Sequence, residues 1–381
     1  MSTISVCMIV KNEQQYLQQC LESVKNVADE IIIVDTGSTD NTKQIARQFT
    51  DNIYDFAWID DFSAARNFSL SKAAKEWIFV IDADEFVMFN PKDVLFQFEN
   101  NKELLAISFL QRNYTNNITI PSFKSIQEDK TQIPEYLQKQ FKGYSERPFI
   151  KLFKNILQLQ YKYLVHEQLD GIANTKQQVV MTNHIVHHLG FDANLSQTKK
   201  QYYLDLAEKQ LLLYPDDSIV LFNLAMAYAD NKQMTKSVEL LYTIYRQNKN
   251  FPNTIRILSD FLVKLGKVTE SQQLLADHIK YLQSQQESGI NKQDTKELSY
   301  LYYILGIVYF KQQLFDEALN CFHKSNTHIA NADAYNGLAM LAATDKQYKE
   351  AYGFLHKAYI LNPNNVQVVN NLKKLENILK K

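Results

Sequence analysis

The chain has 381 residues and carries 41 Lys and Arg against 42 Asp and Glu, so no overall field recruits nucleic acid or an anionic membrane. Its length predicts two domains, and an apolar content of 45% excludes a disordered chain. Three cysteines at unrelated spacings (Cys7, Cys20, Cys321), no apolar stretch long enough to span a bilayer, and a start that enters a strand without a basic leader predict a cytoplasmic protein with reduced thiols.

The first half alternates short apolar runs with helical patterns. Ile4 to Val10 reads as a strand, and Leu17, Leu21 and Val24 mark a helix within Gln14 to Val27. Ile31 to Val34 is a second strand, followed by Asp35-Thr36-Gly37-Ser38-Thr39-Asp40, which combines turn chemistry with a helix start. A third short strand covers Ile53 to Phe56, a helix Phe62 to Ala74, and a buried strand Trp77 to Ile81. This alternation predicts an α/β domain with a parallel sheet, whose ligands lie beyond the carboxyl ends of the strands.

Three polar clusters follow strands: Lys11-Asn12-Glu13, Asp35 to Asp40, and Asp82-Ala83-Asp84-Glu85. Carboxylates gathered at a strand end suit a hard cation such as Mg²⁺ or Mn²⁺ shared with substrate phosphates. The acidic tetrapeptide alone reads equally well as a turn that caps the next helix. Convergence of the three clusters on one sheet edge favours a site. Beyond Leu104 the pattern changes to strands and loops as far as Val186, and Asn113 to Lys142 reads as a mobile loop or an insertion facing an acceptor.

After Ser196 the chain becomes helical and repetitive. Tyr302, Leu305, Gly306, Tyr309, Ala318 and Phe322 recur 33 residues later as Tyr335, Leu338, Ala339, Ala342, Ala351 and Leu355, with Pro363 closing the second unit. This is a tetratricopeptide pattern of about four units, with weaker copies around Leu221 to Leu241 and Ser259 to Leu275. A polar segment, Ser284 to Thr295, separates the two pairs. The domains are therefore expected at 1–196 and 197–381. Such repeats stack into a curved surface that binds a peptide or another subunit, and their exposed faces allow a homodimer.

The stretches Cys7 to Glu13, Val34 to Asp40, Asp61-Phe62-Ser63-Ala64-Ala65-Arg66-Asn67 and Asp82 to Glu85 resemble, in this order, glycosyltransferase family 2. That family implies a GT-A fold, with a mixed, Rossmann-like sheet. Joined to tetratricopeptide repeats, they look like a bacterial subfamily that includes the S-glycosyltransferases of glycocins, which attach a sugar to cysteine in a bacteriocin precursor peptide. Relatives with the same front end transfer sugars to lipopolysaccharide core or cell-wall glycans, and a repeat scaffold with an inactive transferase domain is the alternative from another class. One departure is Asp35-Thr36-Gly37-Ser38, where many members have Asp-Asp-Gly-Ser.

The resemblance implies an inverting, metal-dependent hexosyl transfer from UDP-glucose or a similar nucleotide sugar to Cys or Ser of a peptide held on the repeats. It assigns Asn12, Glu13, Asp35, Ser38, Arg66, Asn67 and Asp82 to the donor and Asp84 to a Mg²⁺ or Mn²⁺ ion. Two further signatures, Val165-His166-Glu167 and Ile185 to Phe191, lie near the site in relatives. His188, with His187 as competitor, would complete the metal sphere, and imidazole tilts the metal towards Mn²⁺. Glu167, with His166 as alternative, would be the base that takes the acceptor proton. Glu85 is left a supporting or capping role.

Overall fold

A computed structural model describes residues 2–118, 120, 122–127, 130–172, 178–190, 196–286, 292–363 and 365–379. Phe191 of the histidine signature, part of the Ser284 to Thr295 segment and four residues of the Asn113 to Lys142 stretch lie outside the described residues. The chain separates into two compact units, Met1–Gln210 and Leu211–Lys381.

The first unit opens with β1 (Ile4–Val10), α1 (Leu17–Val24), β2 (Glu30–Asp35), α2 (Thr42–Ala46), β3 (Ile53–Asp55), α3 (Phe62–Leu70) and β4 (Trp77–Val80). It continues through β5 (Glu85–Val87), α4 (Pro91–Phe96), β6 (Ala106–Thr115), β7 (Lys124–Ser125), α5 (Glu135–Gln140) and β8 (Gly143–Lys154). The hairpin β9 (Gln160–Lys162) and β10 (Gln168–Asp170), strand β11 (Val179–His188) and helix α6 (Gln197–Leu213) follow.

Strands β1 to β4 pair in parallel in the order β3-β2-β1-β4, as βαβ alternation requires. The sheet then turns mixed: β8 runs antiparallel to β4 and β6, β11 is parallel to β6, and β5 closes the far edge antiparallel to β11. One face buries Leu17, Leu21 and Val24 of α1 against Val6, Met8, Phe79 and Phe109. The other buries Cys7, Ile32, Ile78, Val80 and Phe153 beneath Leu70 of α3, with Tyr161 and Leu169 of the hairpin packed on it.

The connection between β4 and β5 has a geometric consequence. Three strands separate them in the sheet order, which in a flat sheet is about 19 Å at the usual strand spacing. Only Ile81 to Asp84 join them, and these form a tight turn in which Glu85 N–H donates to Asp82 O at 2.9 Å. The mixed half of the sheet therefore curls back on itself, and the acidic residues sit where its ends meet.

The stretch expected to be a mobile loop, Asn113 to Lys142, is packed where it is described. Ile126, Ile133 and Leu137 bury against Tyr114 and Tyr144, and buried Arg112 donates to Thr131 O at 2.9 Å while pairing with Glu146. Three isolated apolar residues in a polar stretch carry no period, which hid this small core from sequence reading.

Among its described residues the second unit is all helical: α7 (Ser218–Asp230), α8 (Met234–Gln247), α9 (Thr254–Lys264), α10 (Val268–Gln286), α11 (Lys292–Lys311), α12 (Phe315–His328), α13 (Ala332–Thr344), α14 (Tyr348–Leu361) and α15 (Val366–Leu379). Successive helices pack as pairs, α7 with α8 through α13 with α14, and α15 covers the last pair through Val368 and Leu375. Fully buried Phe322 explains the small residues of the repeat: its ring lies 2.6 Å from where a Cβ would stand on Gly306 of α11 and on Gly337 of α13.

Candidate active site

Loops at the ends of β1 and β2 are stitched into one surface. Asn12 takes a left-handed φ of 58°, a conformation its short polar side chain tolerates. Its N–H donates to Ser38 Oγ at 2.9 Å, and its Oδ1 accepts from Thr39 N–H at 2.8 Å. Glu13 N–H donates to Thr42 Oγ1 at 2.7 Å. Burial, together with the nearby charges of Asp84, Asp82 and Asp40, pushes the Glu13 carboxyl up to about 7.

Asp35 ends β2 and is buried. Its Oδ2 accepts from Gly37 N–H at 3.1 Å and Ser38 N–H at 3.0 Å, with Lys43 Nζ 3.6 Å away. Its Oδ1 is buried without a hydrogen-bond partner. Leaving such an atom unpaired costs about 1–3 kcal/mol, so it marks a place where a ligand donor fits.

The acidic turn divides its carboxylates among different partners. Glu85 is fully buried: Oε2 accepts from Asp82 N–H at 2.9 Å and Lys151 Nζ at 2.7 Å, and Oε1 accepts from Gln111 Nε2. It holds the turn, with both carboxylate oxygens engaged. Asp82 Oδ1 accepts from Arg66 Nη2 at 2.8 Å, and Lys151 Nζ stands 3.5 Å from Oδ2. Burial opposes ionisation of Asp82, but the charges of Arg66 and Lys151 outweigh it and hold the carboxyl well below the usual carboxylate range.

Arg66, on α3, links this turn to the hairpin loop. Its Nε donates to Glu167 Oε1 at 2.7 Å, its guanidinium lies 5.5 Å from the Tyr161 ring centre, and its Nη1 is buried without a partner. Arg66, Asp82, Lys151, His166 and Glu167 line a pocket of about 540 Å³, with an apolar wall from Val80, Phe149, Ile150, Leu169 and Ile172.

Asp84 faces β11. Its Oδ2 lies 3.2 Å from His188 Nε2, and His188 Nδ1 lies 2.6 Å from Asn113 Oδ1. Asn113 can only accept there, so Nδ1 carries the proton and Nε2 faces Asp84. Burial works against the charged imidazolium, but the hydrogen bond and charge of Asp84, with Glu85 and Asp82 behind it, raise the His188 pKa.

Among the described residues no three His, Cys, Asp or Glu side chains form a metal cage. A carboxylate and an imidazole whose other nitrogen is fixed by an amide nevertheless match the donor set of a cation that takes its remaining ligands from water and phosphate. Gly190 makes room for that pair, because a Cβ there would overlap Asp84 Oδ2. Gly190→Ala is therefore expected to displace Asp84 and to lower any turnover that depends on the Asp84–His188 pair roughly tenfold or more. Assays at saturating cation, read beside an unchanged melting temperature, check this.

Two residues are engaged elsewhere. His187 points to the opposite side of its strand, where Nδ1 lies 2.8 Å from Tyr114 OH and the ring stacks on Phe86 at 4.5 Å. Burial, with Arg112 nearby, pulls its pKa down to about 4. The Asn67 amide is used at both ends by Tyr161, accepting from its N–H at 2.7 Å and donating to its carbonyl at 2.8 Å. His166 is exposed with a left-handed φ of 55°. Sequence reading missed Lys151; its signal is a single charge inside the run Pro148 to Phe153.

Residues 5–156 match the family model described as glycosyl transferase family 2. A TPR repeat-containing protein of Synechococcus elongatus is 41% identical over 111 residues, which is 29% of this chain and 28% of that protein. The SPbeta prophage-derived glycosyltransferase SunS of Bacillus subtilis is 28% identical over 224 residues, 58% of this chain and 48% of that protein. An uncharacterized glycosyltransferase of Rickettsia felis is 39% identical over 85 residues, 22% of this chain and 30% of that protein. The chain thus spans half or less of the length of these relatives. Among solved structures, a thermophilic TPR protein of Thermus thermophilus aligns with TM-score 0.36 and 17% identity, covering 47% of this chain and 91% of that one. No helix among the described residues is long and apolar enough to cross a membrane.

Proposed function

We infer that this chain, whose residues 5–156 form a glycosyl transferase family 2 domain, transfers a hexose from a nucleotide sugar, a UDP-hexose, to a cysteine or serine side chain of a peptide, with inversion. The observation that carries the reading is the division of labour in one turn: Asp84 set against His188, and Asp82 locked to Arg66 and Lys151. A diphosphate leaving group needs charge stabilisation, which a bound divalent cation would supply.

Asp84 and His188 would hold that cation, and His188 is favoured over His187 because the latter is stacked between aromatic rings. Asp35 Oδ1, buried and unpaired, suits an N–H of the nucleobase. Asn12, Glu13 and Ser38 frame the nucleoside from the joined loops. Arg66, permanently charged and with Nη1 unpaired, offers a donor to the diphosphate or the sugar. Asn67 supports the site through Tyr161.

Glu167 lines the pocket and is the preferred base over His166, which stands at the exposed tip of the same loop. An inverting displacement needs a carboxylate opposite the leaving group to take the acceptor proton. A thiol asks less of that base than an alcohol, because cysteine ionises at about 8.5. The apolar wall of the pocket and the helical repeats both support a peptide acceptor.

The test incubates purified protein with a panel of UDP- and GDP-sugars, Mn²⁺ or Mg²⁺, and cysteine- and serine-containing peptides, read by peptide mass. A mass shift of one hexose supports the reading. Transfer only to a saccharide acceptor would replace the peptide by lipopolysaccharide or wall glycan, and protein that neither transfers nor hydrolyses any donor would mark an inactive scaffold. Removal of the divalent cation with a chelator is expected to abolish the shift, and its return to restore it.

A further inference from the structure

The five residues that join β9 to β10, Tyr163 to Glu167, contain two non-glycine residues with left-handed backbone: Tyr163 at φ 86° and His166 at φ 55°. For a bulky aromatic this conformation is strained, and it persists only where the surroundings impose it. Two hydrogen bonds grip the residues between them. Leu164 O accepts from Phe62 N–H at 2.9 Å, at the start of α3, and Val165 N–H donates to Gln210 Oε1 at 3.0 Å, on α6.

Gln210 is fully buried, and its Nε2 has no hydrogen-bond partner. A position that only filled space would be served at lower cost by Met or Leu, since a buried amide donor left unpaired is unfavourable. The amide is therefore there for its oxygen. Helix α6 is itself seated on the residues that precede α3: Trp58 Nε1 donates to Tyr202 OH at 2.9 Å, Tyr202 OH donates to Asp60 Oδ1 at 2.9 Å, and Lys209 Nζ pairs with Asp60 at 3.2 Å.

We propose that Gln210 is a positioning residue of the transfer site: by holding Val165 N–H it fixes the strained loop that delivers Glu167 to Arg66. This rests on the transfer reading above. The loop base is fixed by Asn67, which binds Tyr161 at both backbone groups, while Phe62 and Gln210 hold the backbone of Leu164 and Val165. Loss of the Gln210 oxygen lets the tip relax towards ordinary backbone, which draws Glu167 away from Arg66 without opening the core.

The experiment uses the full chain with Gln210→Met, which keeps the shape and removes the acceptor, and Gln210→Glu, which keeps an acceptor oxygen. The Met variant is expected to lose roughly tenfold in kcat, the scale of a small misplacement, with donor KM and melting temperature little changed and faster amide exchange over residues 163–167. The Glu variant is expected to recover most of the rate. An unchanged kcat in the Met variant, or a parallel fall of kcat, KM and melting temperature that Glu does not rescue, overturns the proposal. If wild type neither transfers nor hydrolyses donor, the transfer reading fails, and amide exchange then decides the hold: unchanged exchange in the Met variant overturns it, faster exchange confined to this loop supports it.

Discussion

Asp84→Asn is expected to lower sugar transfer about 10²–10³-fold, the scale lost with one electrostatic stabiliser of a developing charge, while the protein still folds. The argument rests on the small change in shape and the large change in charge. The Asp84 side chain is 22% exposed, and its described polar partners are His188 Nε2 and no buried cation, so neutralising it strands no buried charge. An amide keeps a contact to His188 but offers a hard cation a far weaker ligand. Isothermal titration of Mn²⁺ into both proteins with UDP present separates this from a steric effect: the variant should lose heat of binding and activity together. Transfer at the wild-type rate would remove the metal from the mechanism.

Arg66→Ala is expected to damage both stability and activity, because one buried guanidinium serves two carboxylates. Its side chain is 12% exposed and bonds Asp82 Oδ1 and Glu167 Oε1. Breaking a buried ion pair by removing one partner costs about 3–5 kcal/mol, and here two acids are left behind, although Lys151 still approaches Asp82. Arg66→Lys is expected to restore only part of the loss, since an ammonium cannot present the planar fork that reaches both partners. Urea denaturation and transfer assays measure the two effects.

The same pair gives a pH dependence of definite sign. The Asp82 carboxyl is held below its ordinary value in the folded protein, so its contribution is present above the unfolded value of about 3.9 and is lost as pH falls below it. Wild type should therefore lose stability on acidification in this range, and Arg66→Ala should show a shallower loss. Equal slopes for the two proteins would mean that the pairing does not depress Asp82.

What was readable in the sequence was what local pattern encodes. Strand-helix alternation through Ile81 set out the parallel half of the sheet, and the motifs ending in Asn12-Glu13, Asp35 to Asp40, Arg66-Asn67 and Asp82 to Glu85 pointed to the family whose model residues 5–156 match. The repeat spacing of Tyr302 to Phe322 likewise appears as the paired helices α11 to α14. Partners brought together by the mixed half stayed hidden. Lys151 and Gln111 reach Glu85 of the acidic turn, and Asn113 reaches His188, from strands tens of residues away in the chain, and no period relates a residue to a neighbour two strands away. Adjacent His187 and His188 illustrate the limit within one strand: alternation says that they face opposite sides, while which side holds the aromatic stack depends on Phe86 and Tyr114.

The curl that brings β5 round to the far edge of the sheet also orders events in time. β1 to β4 form a parallel set complete by Val80, built from contacts close along the chain, whereas β5 has β11, ending at His188, as its sole ladder partner among the described residues. Pairing across so long an interval is slow, because the loop must close before the contacts reward it. During synthesis the acidic turn therefore emerges early, with Arg66 already available to Asp82, while Asp84 waits for the strand that carries His188, so that the nascent chain owns a folded half-sheet well before this pair can form.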